Sequence, residues 1–146
     1  MLQDLLRSIK IKDMMTAPVI TIKEWEDFHI VRDMLEVHDI RHLPVVDDSG
    51  RLVGLVSQRH LYRIVSPRRL ENGGWYYDKD VLDSFILKKV MVLDPHTLKP
   101  ENTLEEGMQA MITFKFGCIP IVDGGNRPVG IITRDSVIDF LLKYKG

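Results

Sequence analysis

Residues 54–61 read GLVSQRHL and residues 130–137 read GIITRDSV. Each stretch is a glycine, two aliphatic residues, a hydroxyl, three mostly polar residues and an aliphatic. That is the pattern of a strand that ends on a hydroxyl and turns into a helix. The offset is 76 residues, and sliding the sequence by it aligns 12–65 with 88–141 without a gap. Ten positions are identical: Lys12/Lys88, Met15/Met91, Thr21/Thr97, Lys23/Lys99, Pro44/Pro120, Val46/Val122, Asp47/Asp123, Arg51/Arg127, Val53/Val129 and Gly54/Gly130. Replacements elsewhere keep the chemistry, as in Leu43/Ile119, Val45/Ile121, Leu55/Ile131 and Ser57/Thr133. A long internal period of this kind marks a repeated structural unit.

Working outward, each copy follows one plan. A short extended piece (19–22, matched by 96–99) precedes an amphipathic helix with Phe28, Val31 and Leu35 on one face, or Leu104, Met108 and Met111. Two strands follow, LPVV and LVGLV in the first copy, IPIV and PVGII in the second. The turns between them, DDSGR and DGGNR, hold the Asp, Gly and Asn that tight reversals need. A last helix buries Leu61, Ile64 and Val65, or Val137, Phe140 and Leu141. The order is β-α-β-β-α, twice. Each copy is preceded by a short amphipathic lead-in, LLRSI at 5–9 and VLDSFIL at 81–87. The reading divides the chain into a first repeat with its N-terminal helix (1–66), a linker (67–80) and a second repeat (81–146). A unit of this size buries little core alone, so the two are expected to share apolar surface. In the linker, Trp75, Tyr76 and Tyr77 either pack against the second repeat or form a lid or partner contact.

Composition narrows the function classes. The 146 residues are 45% hydrophobic and 28% charged, with a net charge of −1, an ordinary soluble balance with no field for nucleic acid or an acidic membrane. The single cysteine, Cys118, cannot form an internal disulfide and suits a reducing cytoplasm. No apolar run reaches the roughly 20 residues of a membrane span, and the N-terminus lacks a signal-peptide block. The chain shows no Gly-rich phosphate loop, no HExxH, no paired cysteines and no Ser/His/Asp order, so it is not read as an enzyme. His38 and His42 are four apart, but 40–44 reads as a helix exit, so no metal set is expected. Arg68-Arg69 is too small a basic patch for nucleic acid.

DMMTAPVITI and HDIRHLPVVDDSGRLVGLVSQRHL in the first copy, with KVMVLDPHTL and FGCIPIVDGGNRPVGIITRDSV in the second, resemble a CBS-domain pair, or Bateman module. The resemblance covers nearly the whole chain. It implies an α+β fold of tandem repeats packed as a pseudo-two-fold pair with two clefts. It further implies binding of AMP, ADP, ATP or S-adenosylmethionine as a regulatory ligand, with no required cofactor, and assembly as a homodimer that signals to a partner protein.

In that family the hydroxyl ending the last strand and an Asp three residues later hold the ribose. Both hydroxyls, Ser57 and Thr133, are present here, but the acid positions are His60 and Ser136. Asp135 falls one place early, a rotation of about 100° on a helix. The bottom-up reading of Ser57 and Thr133 is helix capping, with or without a ligand. Arg59 and Arg134 near helix starts make better sense if an anion is near. Arg41 and His42 are candidate phosphate partners or plain solvent-facing residues; Gly117 and Cys118 replace them in the second copy, with Lys115 nearby. By resemblance, Thr16, Pro18, Val19 and Ile20 form one cleft wall, with Ile40 and Pro44 as further candidate nucleotide-binding residues. Val92, Asp94 and His96 form the second wall, with Phe116 and Pro120. The expected function is ligand sensing through a cleft between repeats; the alternative is a non-binding interaction or dimerisation scaffold with degenerate sites.

Overall fold

In a computed structural model, residues 1–64, 71–73 and 78–146 are described in full, and 68–69 and 75–76 by their backbone alone. The packing expected of Trp75, Tyr76, Tyr77 and Val65, and the Arg68-Arg69 patch, fall outside the described side chains.

Helix α1 (Leu2–Ser8) and a 3-10 turn (Ile11–Asp13) lead in, followed by β1 (Ile22–Lys23), α2 (Phe28–Val37), β2 (His42–Val46), β3 (Leu52–Ser57) and α3 (Gln58–Ile64). The linker backbone pairs β4 (Arg68–Arg69) with β5 (Trp75–Tyr76), a small antiparallel ladder where irregular chain was expected. The second lead-in is α4 (Lys79–Asp83) and α5 (Leu87–Val90), followed by β6 (Val92–Leu93). The second repeat ends with α6 (Leu104–Phe114), β7 (Cys118–Val122), β8 (Pro128–Thr133) and α7 (Arg134–Lys143). No helix among the described residues is long and apolar enough to cross a membrane.

The chain forms two compact units that cut across the repeats. One contains residues 1–19, 50–52 and 95–146; the other contains 20–49 and 53–94. Each repeat's lead-in therefore belongs with the body of the other repeat. Thr16 bridges Ile131 on β8, with Thr16 N–H to Ile131 O at 2.9 Å and Ile131 N–H to Thr16 O at 3.1 Å. At the matched positions Val92 of β6 pairs antiparallel with Leu55 of β3. The opposite edges also match: Ile22 pairs parallel with Val45, and Leu98 with Ile121. The expected strands at 19–22 and 96–99 shrink to Ile22–Lys23 and the single Leu98 bridge. Residues 19–20 and 94–95 are where the chain passes from one unit to the other, which leaves few residues free to pair.

Contacts repeated in both copies account for several of the ten identities, two of them through the exchange. A Cβ on Gly54 would stand 2.9 Å from Met91 Cγ, and one on Gly130 would stand 2.8 Å from Met15 Cγ. Both contacts lie well inside van der Waals range, so each glycine makes room for the methionine of the exchanged lead-in. Lys23 Nζ donates to the Asp47 carbonyl at 3.3 Å, and Lys99 Nζ to the Asp123 carbonyl at 2.9 Å. Ser8 and Ser84, also 76 apart, each donate their hydroxyl to the carbonyl three residues back, at 2.7 and 2.6 Å.

Local chemistry sets the element ends. The apolar stripe of α2 buries Phe28, Val31 and Leu35 as expected, and that of α6 buries Leu104, Gly107, Ala110 and Met111. Thr103 Oγ1 caps α6 by accepting the Glu106 N–H at 3.1 Å, while Glu106 accepts the Thr103 N–H at 3.0 Å. In the β7–β8 turn Asp123 Oδ1 accepts from the Gly125 and Arg127 N–H groups at 2.8 and 2.9 Å. The matched turn positions Gly50 and Asn126 both take the left-handed conformation, at φ +86° and +62°. One core gathers Phe28, Leu43, Val45 and Val56 with Leu82 and Leu87 of the second lead-in. The other gathers Leu104, Ile119, Ile121 and Ile132 with Leu6 and Ile11 of the first.

Candidate functional site

The two strand-to-helix corners are built differently. At the second, Thr133 Oγ1 accepts the Ser136 N–H at 3.0 Å, and Ser136 Oγ accepts the Thr133 N–H at 2.8 Å. Ser136 Oγ also donates to the Thr133 carbonyl at 2.9 Å. The result is a reciprocal capping box made of two hydroxyls. Ser136 spends its proton inside the box, whereas the Thr133 hydroxyl serves there as an acceptor and donates to no group among the described residues.

At the first corner His60 Nδ1 accepts the Ser57 N–H at 2.9 Å and lies 3.0 Å from Ser57 Oγ. A ring nitrogen that accepts from an amide carries no proton, so the Ser57 hydroxyl can only donate toward it. Burial, with the positive charges of Arg63 and Arg59 added, holds the His60 pKa below its ordinary 6.5. Both residues that stand where the family has its acid are thus turned back onto their own strand.

Backbone bonds fix the surroundings of each corner. The Gln58 N–H donates to the Arg41 carbonyl at 2.9 Å and the Arg134 N–H to the Gly117 carbonyl at 3.1 Å, at matched positions. Arg41 is exposed and His42 half-buried, and both side chains are engaged within the fold. Arg59, Arg134 and Asp135 are exposed. Pro44, Pro120 and Cys118 are buried inside the strands, and burial pushes the Cys118 thiol up to about 12, which keeps it protonated and inert. Ile20 and Ile40 pack against one core and Phe116 against the other.

The exchange redistributes the expected walls. Thr16, Pro18 and Val19 share a unit with Thr133 and Ser136, while Val92 and Asp94 share one with Ser57 and His60. Thr16 and Ser136 line one cleft of about 380 Å³ together with Met14 and Phe140, within the range of small-molecule sites. Its rim carries Asp139, Lys143, Tyr144 and Lys145, none of them singled out from the sequence. Asp139 pairs with Lys143 one turn on, at 3.0 Å. The signal was present in the 3–4 spacing of Ser136, Asp139, Phe140 and Lys143, which places them on one helix face. Elsewhere on this unit the exposed His96 stacks with Phe114 and Phe116, with ring centroids 5.2 and 5.6 Å away. Phe114, 55% exposed, also went unread.

Two β-α-β-β-α copies with exchanged lead-ins and a capped hydroxyl corner in each define a tandem-repeat α+β module. The family profile of the CBS domain matches twice, over residues 11–67 and 87–143. The chain belongs to the CBS domain family, as a CBS-domain pair. It is 29% identical over 139 residues to a CBS domain-containing protein of Dictyostelium discoideum, with 92% of each chain covered. Other curated relatives include enzymes of which the matched stretch makes up only 21% or 25%. Among solved structures, the CBS-domain pair of protein MJ0100 in complex with 5′-methylthioadenosine and S-adenosyl-L-methionine superposes with a TM-score of 0.76 at 22% identity, covering 93% of this chain and 98% of that one. CBSX2 of Arabidopsis thaliana in complex with AMP gives 0.75 at 24%, with the same coverage.

Proposed function

We propose that the chain is a regulatory module of the cytoplasm that binds an adenine nucleotide, and that the Thr133–Ser136 corner is the one that binds. One observation carries this reading: Thr16 and Ser136, brought from different repeats, line a single cleft, and Ser136 is bonded to Thr133, whose hydroxyl donates to no group among the described residues. That hydroxyl proton suits a ribose oxygen. Lys143 and Lys145 on the rim suit phosphate oxygens, which favours AMP, ADP or ATP over the cationic S-adenosylmethionine. The ligands held by the MJ0100 pair and by CBSX2 support the adenosine part of the assignment.

At the first corner a specific observation favours the second reading, a site kept only as scaffold. His60 takes both Ser57 donors and fills the position of the absent acid. Arg41, His42 and Arg59 then act there in packing or in partner contacts. Signalling follows if the nucleotide binds two arrangements of the module with different affinity. A second copy of the chain and a partner protein are the proposed readers of that shift.

The test is a thermal-shift panel of AMP, ADP, ATP, S-adenosylmethionine and NAD. A ligand at 100 times its Kd adds about 2.7 kcal/mol of stability. A rise with the nucleotides that is abolished in Thr133→Ala and kept in Ser57→Ala supports the proposal. A flat panel contradicts it.

A further inference from the structure

Three further positions repeat at the 76-residue offset: 7/83, 27/103 and 29/105. In one unit they hold Arg7, Thr103 and Glu105. Thr103 caps its own helix, and Arg7 Nε donates to both Glu105 carboxylate oxygens at 3.1 Å. The set closes on itself with no net charge.

In the other unit the same positions hold Asp83, Asp27 and His29. Asp83, from α4, accepts the His29 N–H at 2.9 Å, and both of its oxygens lie 2.9 Å from His29 Nδ1. Asp27 occupies the N-cap of α2 yet makes no capping bond with its side chain. Instead, one donor atom from each of the three residues lies within 4.8 Å of the others. Two carboxylates are thus held together around an imidazole, where the sister unit supplies a guanidinium. Lys79, one turn earlier on α4, makes no ion pair with either acid among the described residues.

We infer that Asp27, His29 and Asp83 bind a divalent transition-metal cation. One imidazole nitrogen with carboxylate oxygens suits Zn²⁺, Mn²⁺ or Fe²⁺. His29 and Asp83 are mostly covered, with side chains 16% and 25% exposed, while Asp27 faces solvent and leaves a path for the ion and its waters. The ion would join α4 of the second lead-in to α2 of the first repeat.

Zn²⁺ titration of the full chain, followed by calorimetry and by the histidine ring signals in NMR, tests this. Saturable binding that moves the His29 signals, and that weakens at least tenfold in Asp27→Asn, is the expected result. Asn caps a helix as well as Asp does, and the His29–Asp83 contact is untouched, so that variant remains folded; its melting temperature without metal checks this. Equal affinity in Asp27→Asn, binding that moves other histidines but not His29, or no saturable binding of Zn²⁺ overturns the inference.

Discussion

At Thr133 two hydroxyls form a reciprocal helix cap; at Ser57 an imidazole accepts the backbone N–H and faces the hydroxyl. The chain around them is otherwise duplicated closely, down to paired Lys-to-carbonyl bonds and paired Met–Gly contacts. The difference teaches where the two copies were free to diverge. Residues that lock an exchanged lead-in against the third strand stayed identical. Residues that face outward from the corner, or bridge the lead-in to the helix, took on different chemistry. The same division holds at the Arg7–Glu105 pair and the Asp27–His29–Asp83 set.

The largest test of that division is the Met–Gly lock. Gly54→Ala and Gly130→Ala each force a Cβ into a methionine side chain and should cost about 1–3 kcal/mol in urea unfolding. Gly130→Ala should cost more, because its Cβ would also lie 3.2 Å from the Thr16 carbonyl, and backbone yields less easily than a thioether. Equal small losses would break the idea that the glycines are fitted to the exchanged segments. The caps come next. Thr133→Ala removes an acceptor for the Ser136 N–H and should cost about 1 kcal/mol. Ser57→Ala should cost less, because the Ser57 hydroxyl accepts no helical N–H among the described residues.

The smallest effect is a pH dependence confined to the first corner. His60 binds its proton more weakly in the folded chain than in the unfolded one. The unfolded chain therefore takes up the proton first as pH falls. This contribution is complete above the ordinary value of 6.5 and is lost as pH drops through the folded-state value. Urea midpoints of the native chain and His60→Ser, compared at neutral and mildly acidic pH, should draw together toward acid. Parallel curves would show that the ring is not held as an acceptor.

Much of the fold was legible because apolar period and turn chemistry are local. Phe28, Val31 and Leu35 announced their helix, and the Asp-Gly turns announced their hairpins. The exchange of lead-ins was not legible, because nothing in Met15 or Gly130 taken alone says that they meet. Their shared identity with Met91 and Gly54 was the available sign, and it was read as evidence of duplication only. The site was half legible. Thr133 was read as a cap and is one; Ser57 was read the same way, but its N–H and hydroxyl meet the His60 ring. That a ring nitrogen and a hydroxyl can both reach back from the third helical position to the strand's last N–H depends on rotamers, which sequence does not carry. Thr16 was read as part of a cleft wall by resemblance alone, with no partner named; it lines a cleft with Ser136. Asp139, Lys143 and Lys145 were not singled out from the sequence.

The most direct test of unequal corners is calorimetric titration of AMP and ATP into the native chain, Ser57→Ala and Thr133→Ala. The account predicts one nucleotide per chain, unchanged affinity in Ser57→Ala and at least tenfold weaker binding in Thr133→Ala. Two nucleotides per chain, or loss in Ser57→Ala with retention in Thr133→Ala, would contradict it.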